Sequence, residues 1–174
     1  MRADAPTAVD LDALALRPGE AAKLELEVEP VAPRIGGELL ALPEPLANVR
    51  IDVSRTSAGY ALRLRFGTAA EGTCSRCLGP ARVEAAVDAR EVEQASENDP
   101  ELLSPYVEDG VLDIGAWVRD ALMLALPERL LCRPDCAGLC EICGISLNDL
   151  EPGSHTHEAP LDPRFAKLRE LADG

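Results

Sequence analysis

Val49-Arg-Ile-Asp-Val-Ser-Arg-Thr-Ser-Ala-Gly-Tyr-Ala-Leu-Arg-Leu-Arg-Phe66 alternates apolar and polar residues twice, on either side of a short turn. Val49, Ile51 and Val53 interleave with Arg50, Asp52 and Ser54. Tyr60, Leu62, Leu64 and Phe66 interleave with Arg63 and Arg65. A period of two puts successive side chains on opposite faces of a strand, and Ser57-Ala58-Gly59 supplies the reversal, so the segment is a β-hairpin.

The pattern spreads in both directions. Upstream, Leu24, Leu26 and Val28 alternate with Lys23, Glu25, Glu27 and Glu29, a half-buried strand. Residues 30–45 carry four prolines and Gly36-Gly37 and read as loop, with a short strand at Leu39 to Leu42. Asp10 to Leu16 reads as a turn of helix or an extended arm, stopped by Pro18-Gly19. Downstream, another strand is expected after Gly67, delivering Cys74. Gly79-Pro80 then turns the chain, and Val83, Ala85 and Val87 alternate as far as about Val92. The consistent architecture is an antiparallel meander with one wet face.

The period then changes. Asp113 stands at an N-cap position, Ile114, Trp117, Val118, Ala121, Leu122 and Ala125 recur at helical spacing, and Pro127 ends the run. This amphipathic helix should lie across the sheet with Trp117 buried. A last helix is expected from Asp162-Pro163 to about Leu171. The fold class is therefore α+β: an antiparallel β domain over residues 1–112 that ends in an acidic linker (91–112), then a helix, a Cys-rich metal-binding segment and a C-terminal helix over residues 113–174.

Net charge is −14, from 17 basic and 31 acidic residues, which favours basic partners and argues against a surface spread wholly on phosphate. The charge is uneven. Glu91 to Asp113 holds eight acids and no Lys or Arg, whereas Leu46 to Arg82 holds six Arg against Asp52 and Glu71. Arg50, Arg63 and Arg65 should share one face of the hairpin, with Arg76 and Arg82 flanking the first cysteine pair. This stripe is a candidate contact for RNA or another partner, although Tyr60 and Phe66, the aromatics that could stack on bases, alternate to the core face. Aromatic residues are only 3% of the chain, so the core must be Leu, Val and Ala. The N-terminal twenty residues contain no apolar stretch of signal-peptide type, and the run Ala121 to Leu126 is far too short for a bilayer, so the expected location is the cytoplasm.

Six cysteines fall into pairs: Cys74-x2-Cys77, and Cys132-x3-Cys136-x3-Cys140-x2-Cys143 followed by Gly144. In a reducing compartment such clustering points to metal rather than disulfides, and zinc with thiolate ligands is the expected cofactor, in a structural role. The downstream four could complete one tetrahedron. Alternatively, Cys74 and Cys77 could join a later pair and pin the sheet to the helix end. With His155 and His157 the donors number eight, enough for two tetrahedra, though Gly153-Ser154 beside them favours an exposed polar loop over ligation.

Other chemistries fit poorly. Cys136-x3-Cys140-x2-Cys143 shares its spacing with radical SAM iron–sulfur sites, but about thirty residues remain after it, too few for the required barrel. Cys74-x2-Cys77 lacks the βαβ frame of a thioredoxin-type redox pair. There is no Gly-rich phosphate loop and no Ser nucleophile motif, so neither an enzyme nor a small-molecule substrate is expected.

Several of these motifs recur together in one order: Val53-Ser-Arg55-Thr, Cys74-Ser-Arg-Cys77-Leu78, Asp113-Ile114 opening a helix that ends Leu124-Ala-Leu-Pro127, Leu131-Cys132-x3-Cys136-Ala-Gly-Leu-Cys140-x2-Cys143-Gly144, Leu147-Asn148, and Asp162-Pro-Arg164-Phe-Ala-Lys-Leu168. Their order resembles the YceD family, the large ribosomal RNA subunit accumulation proteins of bacteria and plastids, from about residue 46 to the C-terminus. The form here looks most like that of high-GC Gram-positive bacteria. The resemblance implies a non-enzymatic factor for accumulation of large-subunit ribosomal RNA and biogenesis of its particle. Its partners would be the subunit precursor, its rRNA, or a basic ribosomal protein such as the small zinc-ribbon protein whose gene commonly neighbours the family's. The alternative is a thiol-redox or metal-dependent RNA-processing enzyme. Some family members lack part of the cysteine set, which places the metal in an appendage and the activity on the sheet or acidic segment.

Overall fold

A computed structural model describes residues 7–94 and 102–157. A four-stranded antiparallel sheet in the order β2-β5-β6-β7 forms the body, from β2 (Ala21–Val28), β5 (Ala47–Arg55), β6 (Gly59–Thr73) and β7 (Pro80–Gln94). The alternation in the sequence becomes its two faces. Val49, Ile51, Val53, Tyr60, Leu62, Leu64 and Phe66 are buried, and Arg50, Arg63 and Arg65 lie on the other side, more open to solvent. The hairpin reverses at residues 56–58, where the Thr56 hydroxyl accepts from the Gly59 amide at 2.9 Å.

Three strand expectations need correction. β6 runs unbroken through Gly67, because that glycine keeps extended backbone opposite Ala86 and the ladder with β7 carries it across. The expected strand at Leu39 to Leu42 is instead a tiny hairpin, β3 (Arg34–Ile35) and β4 (Glu38–Leu39), turning on Gly36-Gly37. Beyond it Ala41 makes a single bridge to Glu71. β7 continues to Gln94, so the start of the acidic stretch is strand. There Glu91 and Glu93 stand opposite Leu62 and Tyr60 on the inward face. The Glu93 carboxylate accepts the Ser104 amide at 2.8 Å, and burial pushes the Glu91 carboxyl above its usual range.

A small second sheet orders as β1-β9-β8, from β1 (Ala8–Asp10), β8 (Val107–Glu108) and β9 (Val111–Asp113). The arm at the N-terminus is thus a strand followed by a 3-10 turn at Asp12–Leu14. Tyr60 fastens that arm to the main sheet, its hydroxyl donating to Asp12 Oδ1 at 2.8 Å. Asp113 caps α1 (Ile114–Ala125), its side chain accepting from the Ala116 amide at 2.9 Å, and the helix stops two residues before Pro127. Ile114, Trp117, Val118, Ala121 and Leu122 close over the sheet's apolar face. Trp117 is 1% exposed and stacks on Tyr106 with ring centroids 6.0 Å apart. Among the described residues no helix is long and apolar enough to cross a membrane. The expected helix at 162–171 lies outside the described residues.

Candidate metal centres

The long β6–β7 hairpin ends in the segment Cys74-Ser-Arg-Cys77-Leu78-Gly79. Here the Cys74 amide donates to the Gly79 carbonyl at 2.8 Å, and the Leu78 amide donates back to the Cys74 carbonyl at 3.0 Å. The segment Cys140-Glu-Ile-Cys143-Gly144-Ile145 repeats both bonds, Cys140 to Ile145 at 2.8 Å and Gly144 to Cys140 at 2.8 Å. Each is a tight loop that turns two thiols to one side. The residue after the second thiol takes positive φ: Gly144 does so at 73° and Leu78 at 59°.

After α1 the chain returns to the first of these loops. The Ser75 amide donates to the Leu130 carbonyl at 2.8 Å, which brings Cys132 and Cys136 against the hairpin tip. Cys74, Cys77, Cys132 and Cys136 form one cluster, and Cys140, Cys143, His155 and His157 a second; within each, the ligand atoms lie within 4.8 Å of one another. All six cysteines are free thiols. Of the groupings left open by the spacing, the geometry brings the eight donors together as two sets of four. The run of four downstream cysteines is divided between them, and both histidines face the second.

The donor atoms suit a tetrahedral ion. In the first cluster Cys74 and Cys136 sulfurs are 3.8 Å apart and Cys77 and Cys132 sulfurs 3.6 Å. Zinc–sulfur bonds of about 2.3 Å imply a sulfur–sulfur edge of about 3.8 Å. In the second, both histidine Nε2 atoms lie 3.3 Å from Cys143 Sγ and 2.8 Å from each other. The protonation pattern agrees. Burial pushes the Cys74 thiol up, but amide groups of Cys77, Arg76 and Cys132 outweigh it and hold it at about 6. The amides of Cys143 and Ile142 hold Cys140 at about 6 as well. Cys132 is pushed up to about 12, first by its bond to the Cys136 sulfur and then by burial. Several thiolates crowded together force the last thiol to keep its proton, and a divalent cation would displace it. Both donor sets could hold a metal ion, which would serve there as a covalent-like cross-link between chain segments.

The arginine stripe is engaged within the chain. Arg63 forms a fork to Asp88 at 2.8 and 2.6 Å, and Arg65 pairs with Asp52. Arg50 stands opposite Arg65 in the ladder with its Nε 3.5 Å from Asp52 Oδ1, an ion-pair distance without hydrogen-bond geometry. Arg82 bridges Glu71 at 2.8 Å and Glu84 at 2.9 Å. Arg76 braces the first cysteine cluster, donating to the Cys136 carbonyl at 2.8 Å. The bond to Arg63, ahead of its own desolvation, holds the Asp88 carboxyl below its usual range; at Asp52 burial acts upward but Arg65 and Arg50 outweigh it.

The sequence reasoning did not find Asn148 as a functional residue. Its side chain touches Cys136, Ala137 and Arg133, and the only signal was its place beside Leu147 in the recurring motif order.

A family model described as "Large ribosomal RNA subunit accumulation protein YceD" matches residues 62–172. An uncharacterized protein of Mycobacterium tuberculosis is 37% identical over 172 residues, spanning 95% of this chain and 81% of that protein. One of Mycobacterium leprae is 33% identical over 174 residues, spanning 95% of this chain and 77% of its own length. No solved structure matches. The matched residues take in most of β6, all of β7 and all eight candidate metal donors, and on that span the chain belongs to the YceD family.

Proposed function

We propose that this protein is a non-enzymatic factor that promotes accumulation of large-subunit ribosomal RNA, with two structural zinc ions. The single observation behind the metal half is the pair of four-donor clusters at tetrahedral spacing. Each has four protein donors, so neither leaves an open position for substrate or activated water, which supports a structural over a catalytic role. The ribosomal half rests on the family's description.

A net charge of −14, with Arg50, Arg63, Arg65 and Arg82 each beside a carboxylate, favours a basic protein over bare RNA as the immediate partner. A basic ribosomal protein of the large subunit fits that chemistry.

Depletion in a host that encodes the protein should lower the ratio of large- to small-subunit ribosomal RNA, and purified protein should carry two zinc ions by native mass spectrometry. An unchanged ratio would overturn the ribosomal reading, and protein that binds no zinc would overturn the metal reading. Retention of naked large-subunit RNA that is lost on charge reversal of Arg50, Arg63 and Arg65 would replace the protein partner with RNA. Cleavage or thiol-redox turnover that disappears in Cys74→Ser while the fold persists would make it an enzyme.

A further inference from the structure

The two clusters are joined by a very short strap. Only Ala137, Gly138 and Leu139 separate Cys136, the last donor of the first, from Cys140, the first donor of the second. The strap is held from both sides. Gly138 has φ 81° and sits so close to the first loop that a Cβ would lie 3.1 Å from the Arg76 carbonyl oxygen. On its other side the Leu147 amide donates to the Gly138 carbonyl at 2.9 Å, and Leu139 bridges Ser146.

Asn148 completes this brace. Its Oδ1 accepts the Ala137 amide at 2.8 Å and an Arg133 guanidinium nitrogen at 3.1 Å. Both of those groups can only donate, so the amide orientation is fixed and Nδ2 is the atom that faces Cys136 Sγ, at 3.5 Å. Asn148 lies between Cys143 and His155, so it is carried by the loop that the second cluster closes. A hydrogen bond donated to a ligand sulfur favours the thiolate and orients it.

Resting on the reading of both clusters as metal centres, we propose that Asn148 is a positioning residue that couples them. An ion in the second centre fixes the 144–155 loop, the loop holds Asn148 against Cys136, and the first centre binds its ion more tightly. By linkage the coupling is reciprocal.

Cobalt(II) titration of the full chain, competed against a chelator, tests this, because an all-thiolate site and a mixed thiolate–imidazole site absorb differently and each can be followed separately. Asn148→Asp keeps the acceptor for Ala137 and Arg133 and replaces the donor to sulfur with a charged oxygen that opposes the thiolate, so it serves if Asn148→Ala folds poorly. Either variant should weaken the all-thiolate site about 10- to 100-fold while two ions still bind. Removing the second centre with His155→Ala plus His157→Ala should weaken the first in the wild-type background and add little in the Asn148→Asp background. A first centre indifferent to Asn148, or effects that simply add, would overturn the coupling alone. A wild-type chain that binds no ion would overturn the metal reading with it.

Discussion

The two candidate metal centres are built on near-identical loops and would do different things to the chain. Cys74 and Cys136 are 62 residues apart in sequence, Cys143 and His155 only 12. The first centre gathers the tip of the longest hairpin and the segment after α1, with Cys74 fully buried and Cys136 1% exposed. The second closes one surface loop, with Cys143 and His157 exposed. A cross-link stabilises by restricting the unfolded chain, and the restriction grows with the loop closed. The same chemistry is therefore a staple of the tertiary fold in one place and a local clasp in the other.

The largest expected effect follows directly. Chain entropy alone separates closure of a loop of some sixty residues from one of a dozen by about 1.5 kcal/mol, and losing a buried sulfur adds to it. Cys136→Ser should therefore lower thermal stability clearly more than Cys143→Ser, each losing one ion by native mass spectrometry. Equal losses of stability would break the contrast. A strong chelator should next empty the centres in order, the exposed one first with the near-ultraviolet signal of Trp117 intact, the buried one later with that signal lost. Simultaneous loss would mean that the two form a single unit.

The loops themselves offer a finer comparison. Leu78 holds φ 59° where its counterpart Gly144 holds 73°. A side chain in that region costs about 1 kcal/mol, so Gly144→Leu should destabilise by roughly that amount, measured by denaturant unfolding of the zinc-loaded protein. Leu78→Gly should change stability by less, because relief of strain is offset by the freedom glycine gains when unfolded.

The smallest effect lies in the sheet, away from both centres. The Glu91 carboxyl is raised from 4.5, so the folded chain favours its protonated form. Its stabilising contribution is complete below pH 4.5 and is lost as pH rises through the raised value. Glu91→Gln should thus be slightly more stable than wild type at pH 7, the gap closing on acidification toward 4.5, with metal content unchanged. A gap that widens instead would invert the sign.

Much of the fold was legible because it is written in local periods. Alternation over Val49 to Phe66 gave the hairpin and its faces, and Asp113 with Pro127 bounded α1 to the residue or nearly so. The same rule misjudged Glu91 and Glu93, since an acidic run looks solvated until the ladder with Leu62 and Tyr60 fixes its register. Gly67 looked like a break because a glycine's conformation is set by its neighbours across the sheet. For the site, sequence supplied the cysteine donors and favoured an exposed loop for the histidines, which the structure instead places beside Cys140 and Cys143.

The sequence by itself determined that soft metal ligands come in pairs, that one β-face is apolar, and that a capped helix follows. Which four donors come together was decided only in three dimensions. Cys132 and Cys136 are adjacent to Cys140 along the chain, yet the return of the segment after α1 to the hairpin tip, fixed by the bond from Ser75 to Leu130, places them with Cys74 and Cys77. Spacing along a chain limits which ligands can meet. Packing at a distance chooses among them, because a tetrahedron of about 4 Å edge can be closed by any segments the core brings together.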